Sequence, residues 1–289
     1  MSTAWYKSRC IPTMVRSFTA KKRRPSDDTS PFLTVQVWDT TCVVHNMPPT
    51  HKILINPANP QLTGVSKFAY FPVGGPQPTE PIRKDAHPIM GYVSQWGGMD
   101  VGNGMMFAAT TVDGLVHQLG GKELQRQLQN TGSPPLAEGQ AVATPTRGKL
   151  RESTPYHYIV HAVPPFYKLG NNIGNFSSEE TTTDQILADT YHNALHVAAK
   201  LNVDDHDDHT LHIATPLLGA GCRGFPSAVA INVAANAMME WQSSPTAASR
   251  HVTMSFAIPN SEIRQQLVEA LEREMSPTDP QTNRIHPTN

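Results

Sequence analysis

Ala214-Thr-Pro-Leu-Leu-Gly-Ala-Gly-Cys-Arg-Gly-Phe-Pro226 joins an apolar segment to an Ala-rich one. Thr210–Thr215 before it is apolar enough to be a buried strand. Ser227–Trp241 after it is Ala-rich and apolar on most sides, as a packed helix would be. Three glycines and an alanine join the two, and Pro226 stands where a helix tolerates proline best, in its first turn. Glycine lets a backbone approach a ligand closely and take φ > 0. Successive N–H groups in such a turn form an anion nest, and the start of a helix adds the positive end of its dipole. The loop therefore suits a diphosphate. The plainer alternative is a tight strand-to-helix turn with no ligand.

Outward from this unit, strands and helices alternate. Ala141–Thr144, His157–Val163 and His251–Ile258 read as strands, and Asp184–Leu201 and Ser261–Met275 as amphipathic helices. Upstream, Leu33–Trp38 alternates apolar and polar residues, and Ile53-Leu54-Ile55 reads as a strand buried on both faces. Val112 to about Leu128 has helical spacing, with a break expected at Gly120-Gly121. The alternation implies a largely parallel sheet covered by helices on both faces. Ligands of such sheets bind outside the carboxyl ends of the strands, so the loops after Asn56, Val163 and Thr215 are the places to look.

Between these elements, Phe71 to Gln95 carries prolines at 72, 76, 78, 81 and 88 among glycines, and reads as an insertion or a lid within about 65–105. The folded body is expected over 29–275, flanked by a disordered leader at 1–28 and a disordered tail at 276–289. The formal net charge of −1 hides an asymmetry: Lys7, Arg9, Arg16 and Lys21 to Arg24 make the first 26 residues wholly basic, and the rest is net acidic. An acidic body argues against a nucleic-acid binder, except where the nucleic acid carries a modification that the site reads. The leader has the composition of a mitochondrial or plastid transit peptide. A nuclear signal at Lys21–Arg24 and a tail with no address, which would leave the protein in the cytoplasm, are the rival readings. No apolar run approaches the roughly 18 residues that cross a bilayer. Cys10, Cys42 and Cys222 are too dispersed for a disulfide framework or a CxxC zinc site. Asp204-Asp-His-Asp-Asp-His209 has metal-ligating side chains but reads as a solvated loop. Gly98, Gly102 and Gly104 resemble a dinucleotide loop only loosely, because no buried strand runs into them.

Two further segments carry polar groups at strand or helix ends. Asn56-Pro-Ala-Asn59 follows a buried strand, where amides can serve ribose hydroxyls or simply close a turn. Asp113 opens a helix, where a carboxylate is either a dipole-stabilised cap or a catalytic acid.

Taken in order, these segments resemble the macrodomain family. Asn56-Pro-Ala-Asn59 is similar to the family's Asn-Ala-Ala-Asn, and Val112-Asp-Gly-Leu-Val-His117 to its Val-Asp-Gly-x-Ile-His. Glu138–Thr144, Tyr158–Pro165 and Ala214–Pro226 resemble its next strands and its phosphate loop. Asp39-Thr40-Thr41 sits where the family carries Gly-Asp-Ile-Thr. The resemblance implies a three-layer α/β/α sandwich with a mixed, mostly parallel six-stranded sheet. The ligand it implies is ADP-ribose or an ADP-ribosylated protein, bound by a monomer with no cofactor and no metal.

Carried over residue by residue, Asp39 accepts from the adenine amino group, with Thr40 beside it, and Asn59 contacts the distal ribose. Gly219, Ala220, Gly221, Cys222, Arg223 and Gly224 cradle the diphosphate, and Phe225 packs near the distal ribose. Asp113 and Asn59 are the candidates for hydrolysis of an ADP-ribosyl bond. A non-catalytic reader of ADP-ribosylated partners and a ligand-free interaction domain are the alternatives.

The sequence also departs from the family pattern. Hydrolytic relatives have a glycine run a few residues after the second asparagine and then Val-Asp, whereas Asp113 stands beyond the insertion. Either Asp113 returns to the site, or Gly97-Gly98-Met99-Asp100 supplies the glycines and the acid. Arg223 replaces an aromatic residue, and either pairs with phosphate or points to solvent.

Overall fold

The computed structural model describes residues 11–19, 33–63, 111–131, 134–165, 167, 182–203, 210–221, 223–243 and 251–277. The strands are β1 (Thr13–Thr19), β2 (Leu33–Asp39), β3 (Ile53–Pro57), β4 (Ala141–Pro145), β5 (Tyr158–Ala162), β6 (Thr210–Thr215), β7 (His251–Ala257) and β8 (Ser276–Pro277). The helices are α1 (Val112–Asn130), α2 (Gly148–Ser153), α3 (Thr183–Ala199), α4 (Ser227–Gln242) and α5 (Ser261–Glu274). All strands join one sheet in the order β4-β5-β3-β6-β7-β2-β1-β8.

The five central strands β5, β3, β6, β7 and β2 pair in parallel, and β4, β1 and β8 run antiparallel to their neighbours. The sandwich is therefore mixed and mostly parallel, as expected. Alternation along each strand divides its side chains between two cores. Ile53, Ile55, Ile213 and Met254 face Leu187, Tyr191, Ala234 and Leu267 of α3, α4 and α5. Leu54, Ile159 and Ala214 face Leu115, Leu124, Leu128 and Leu150 of α1 and α2, with Val43, Val44 and Met47. Burial on both faces is why Ile53-Leu54-Ile55 is continuously apolar. Helix α1 breaks at Gly121, with φ 52° and ψ −145°, where the paired glycines predict it. No helix among the described residues is long and apolar enough to cross a membrane.

The strand count is a correction: the sheet has eight strands where six were expected. The two extra strands come from the segments expected to lie outside the fold. β1 pairs with β2 over Thr13–Thr19, with a register shift between Met14 and Arg16, and β8 pairs with β1 at Phe18 and Thr19. Phe18 is fully buried among core residues, so the basic leader does contribute core. Its pattern is weak because only one residue of the strand is fully buried while Val15 stays exposed. The insertion at about 65–105 lies outside the described residues.

Replacing Phe18 tests the place of β1 in the domain. Phe18→Ala removes a fully buried ring and is expected to cost about 3–5 kcal/mol in urea unfolding. A loss below about 1 kcal/mol, the level of most surface changes, would show that β1 is dispensable.

Candidate functional site

Parallel pairing brings the carboxyl ends of β2, β7, β6, β3 and β5 to one edge of the sheet. The loops that leave β3, β5 and β6 are neighbours there, and Asp39 closes β2 on the far side.

The loop after β6 is shaped by two glycines with positive φ, Gly219 at 84° and Gly224 at 79°. Phe225 N–H donates to Gly219 O at 3.1 Å and Gly224 N–H to Gly221 O at 3.1 Å, which closes the turn. Tyr191 of α3 accepts from Leu218 N–H at 2.9 Å. Burial holds that phenol well above its usual range, so it remains neutral. The next three backbone N–H groups, of Gly219, Ala220 and Gly221, donate to nothing among the described residues. Gly219 is buried, Ala220 half-buried and Gly221 exposed; successive N–H groups on a glycine turn have the arrangement of an anion nest.

A side chain at Gly219 would be strained: its Cβ would stand 3.0 Å from Leu187 and from Phe225, at a positive φ. Gly221 is exposed, and a Cβ there meets nothing within 4 Å. Phe225 is a correction. It is fully buried, its ring centroid 5.0 Å from that of Tyr167, and it forms the floor under Gly219 rather than a ribose contact. Arg223 is buried rather than pointing to solvent, and its Nη2 donates to Ala58 O at 2.7 Å. Cys222 lies outside the described residues.

The turn after β3 carries the two asparagines, both buried. Asn56 Nδ2 donates to Asp113 Oδ1 at 2.7 Å and lies 3.3 Å from His161 Nδ1. Asp113 is thus brought to the Asn56–Asn59 turn across the insertion, at the start of α1, whose first turn is capped by Thr111 Oγ1 accepting from Gly114 N–H at 3.0 Å. His117, one turn along α1, places Nε2 3.5 Å from Asp113 Oδ1. Since Asn56 donates to Nδ1 of His161, the ring proton belongs on Nε2, which donates to Thr144 Oγ1 at 2.9 Å. Asn59 spends its Oδ1 on Thr63, whose N–H stands at 3.3 Å. Asn59 Nδ2, buried, has no partner among the described residues.

At the far end of the edge, Asp39 is about half exposed, and Arg264 of α5 donates to its Oδ1 at 3.0 Å and to Ile258 O at 2.8 Å. Thr40 is buried and accepts from Cys42 N–H at 3.4 Å, so its hydroxyl closes a turn. The alternative acid, Asp100, lies outside the described residues, as do Asp204–His209. Among the described residues no group of three or more His, Cys, Asp or Glu is placed to hold a metal ion.

A family model described as the macro domain matches residues 102–234. A macro domain-containing protein of Listeria monocytogenes is 31% identical over 147 residues, which cover 50% of this chain and 70% of that protein. The chain belongs to the macro domain family. A protein of Escherichia fergusonii named O-acetyl-ADP-ribose deacetylase is 25% identical over 167 residues, 55% of this chain and 81% of its own. Among solved structures, the Oceanobacillus iheyensis macrodomain with ADP matches at TM-score 0.51 and 16% identity, covering 90% of this chain and 97% of that one.

Reading the macro domain from sequence alone missed four residues. His117 and His161 entered only inside motifs, and nothing in those motifs says that they surround Asn56 and Asp113. Tyr167 secures the phosphate loop by donating its N–H to Arg223 O at 2.8 Å. Its one signal is an aromatic residue just beyond Pro164-Pro165. Arg264 is one polar residue on an amphipathic helix, and only the fold carries it to Asp39.

Two buried histidines make the fold acid-sensitive. Burial, and then the nearby His117, lowers His161 to about 3. Burial, and then His212, lowers His51 to about 3. Both are neutral when folded and titrate near their ordinary value when unfolded. Their contribution is therefore present above about pH 6.5 and is lost as the pH falls from there toward 3. Unfolding free energy is expected to drop by about 4 kcal/mol between pH 7 and pH 5 for the pair, read by denaturant titration. A flat profile over that window would show that both rings accept a proton in the folded state, and a drop of about half that size that one of them does.

Proposed function

We propose that the chain binds ADP-ribose along the carboxyl edge of the sheet, adenine at Asp39, diphosphate on the glycine loop and second ribose at the Asn59 turn. The observation that carries the reading is the run of three unsatisfied amides at Gly219, Ala220 and Gly221, centred between two polar ends. β2 and β3 stand three strand spacings apart across β7 and β6, about 14 Å. That span suits a nucleoside diphosphate with a sugar at its far end. Asp39 is a hydrogen-bond acceptor held in place by Arg264, as recognition of an exocyclic amine requires. Asn59 Nδ2 is a buried donor at the end where ribose hydroxyls would arrive.

Calorimetry tests this. ADP-ribose is expected to bind with micromolar affinity, about −8 kcal/mol, and more tightly than AMP, which leaves most of the nest empty. Gly221→Glu is expected to abolish binding while circular dichroism stays native, because the new side chain has room but places a carboxylate on the anion surface. Normal binding by a folded Gly221→Glu protein would move the diphosphate elsewhere.

The finer reading is hydrolysis of an ADP-ribosyl linkage, on a modified protein or on O-acetyl-ADP-ribose, with Asp113 orienting or deprotonating water and Asn59 holding the ribose. The named activity of the Escherichia fergusonii relative supports it, as does the position of Asp113 beside Asn56. Asp113→Ala is then expected to lower turnover by about 10²-fold or more with ADP-ribose affinity little changed. The burial of Asp113 and its bond to Asn56 favour the second reading, a binder that reads ADP-ribosylated partners without cutting them. Absence of turnover by the wild type on ester, amino-acid and nucleic-acid linkages would select that reading.

A further inference from the structure

Arg223 stands where a glycine loop needs no long side chain, and it is buried. Through Nη2 it donates to Ala58 O at 2.7 Å. Through its own carbonyl it accepts from Tyr167 N–H at 2.8 Å. Ala58 in turn donates its N–H to Ala162 O at 2.7 Å, at the end of β5. One residue thus ties together the loops that follow β3, β5 and β6. The residue after the Ala58 acceptor is Asn59, whose Oδ1 is taken by Thr63 and whose buried Nδ2 has no partner among the described residues. A buried amide donor is costly to leave unmade, so this one is kept for a ligand.

We propose that Arg223 is a positioning residue that fixes the distance between the glycine loop and the Asn59 turn, and so makes the site select a nucleoside diphosphate carrying a second sugar over the bare diphosphate. The inference rests on the reading of the site given above. The diphosphate lies on backbone amides that Arg223 does not supply. The second sugar lies on Asn59, whose turn Arg223 holds through Ala58. A charged donor to a buried carbonyl is among the stronger hydrogen bonds in a protein. It crosses between two loops that have no covalent reason to keep a fixed separation.

The test measures ADP and ADP-ribose affinities by calorimetry for the wild type, Arg223→Met, Arg223→Lys, Asn59→Ala and the Arg223→Met/Asn59→Ala double variant. Methionine keeps an apolar stem and loses every donor; lysine keeps the charge and can donate from an ammonium one bond short of the Nη2 position. Arg223→Met is expected to lower the ratio of ADP-ribose to ADP affinity by about tenfold, the loss of one hydrogen bond from a charged donor. Arg223→Lys is expected to restore most of that ratio. In the Asn59→Ala background, Arg223→Met is expected to change the ratio no further, because the two residues act through one contact. Equal losses for both ligands, or full additivity with Asn59→Ala, would reduce Arg223 to a general prop for the loop and overturn the proposal. Should Arg223→Met not fold, an Arg223→Lys ratio as low as that of Asn59→Ala overturns it equally. A wild type that binds neither ligand overturns the reading of the site itself, and the role of Arg223 with it.

Discussion

Parallel pairing of β5, β3, β6, β7 and β2 is the constraint on which the rest depends. Each parallel step needs a crossover that returns over a face of the sheet. That requirement gives the helix layers, with α3, α4 and α5 on one side and α1 and α2 on the other. It also sends these five strands toward the same edge. The backbone groups that leave the sheet there have no ladder to join. Some are met by neighbouring loops, as Ala58 N–H is by Ala162 O. Those of Gly219, Ala220 and Gly221 are not met by any described residue, and it is on them that the proposed diphosphate site is placed.

The polar core behind the edge is expensive, and its members are held in pairs. Asn56, Asp113, His161 and Thr144 are all buried, and hydrogen bonds join them into a chain from α1 through β3 and β5 to β4. Such networks specify one arrangement when they are satisfied and are costly when they are not. This one fixes the start of α1 against the end of β3, and so keeps Asp113 beside the asparagine turn although the chain between them is long. A second buried set, His51 with Ser255 and Gln36, lies further along the same face. It does not reach the loop edge, and its consequence is acid sensitivity.

What the sequence discloses depends on how local the cause is. The β6–loop–α4 unit is legible because glycine, proline and apolar periodicity act within a few residues. The break in α1 is legible for the same reason, since Gly120-Gly121 weakens the helix wherever it lies. The inner strand β3 shows as an apolar run because both its faces are buried. β1 is not legible: a strand with one buried side chain, Phe18, in a basic stretch looks like a tail. α2 is hidden because six residues with one buried leucine carry no period.

In the candidate site, side-chain types are readable and directions are not. Asp113 returns to the asparagine turn through pairing that spans the sheet. Arg223 points inward because Ala58 O lies within its reach, and Phe225 turns under the loop because Gly219 leaves room only for a ring below it. None of these directions follows from neighbours in sequence.

The account stands most directly on where the loop amides go when ligand arrives. Titration of isotope-labelled protein with ADP-ribose, followed by amide proton–nitrogen correlation spectra, reads this residue by residue. The account predicts large, saturable shifts at Gly219, Ala220 and Gly221 and at the Asn59 side-chain amide, with the Asn59 change absent when ADP replaces ADP-ribose. Saturable shifts confined to other surfaces, with the glycine-loop amides unmoved, would contradict it.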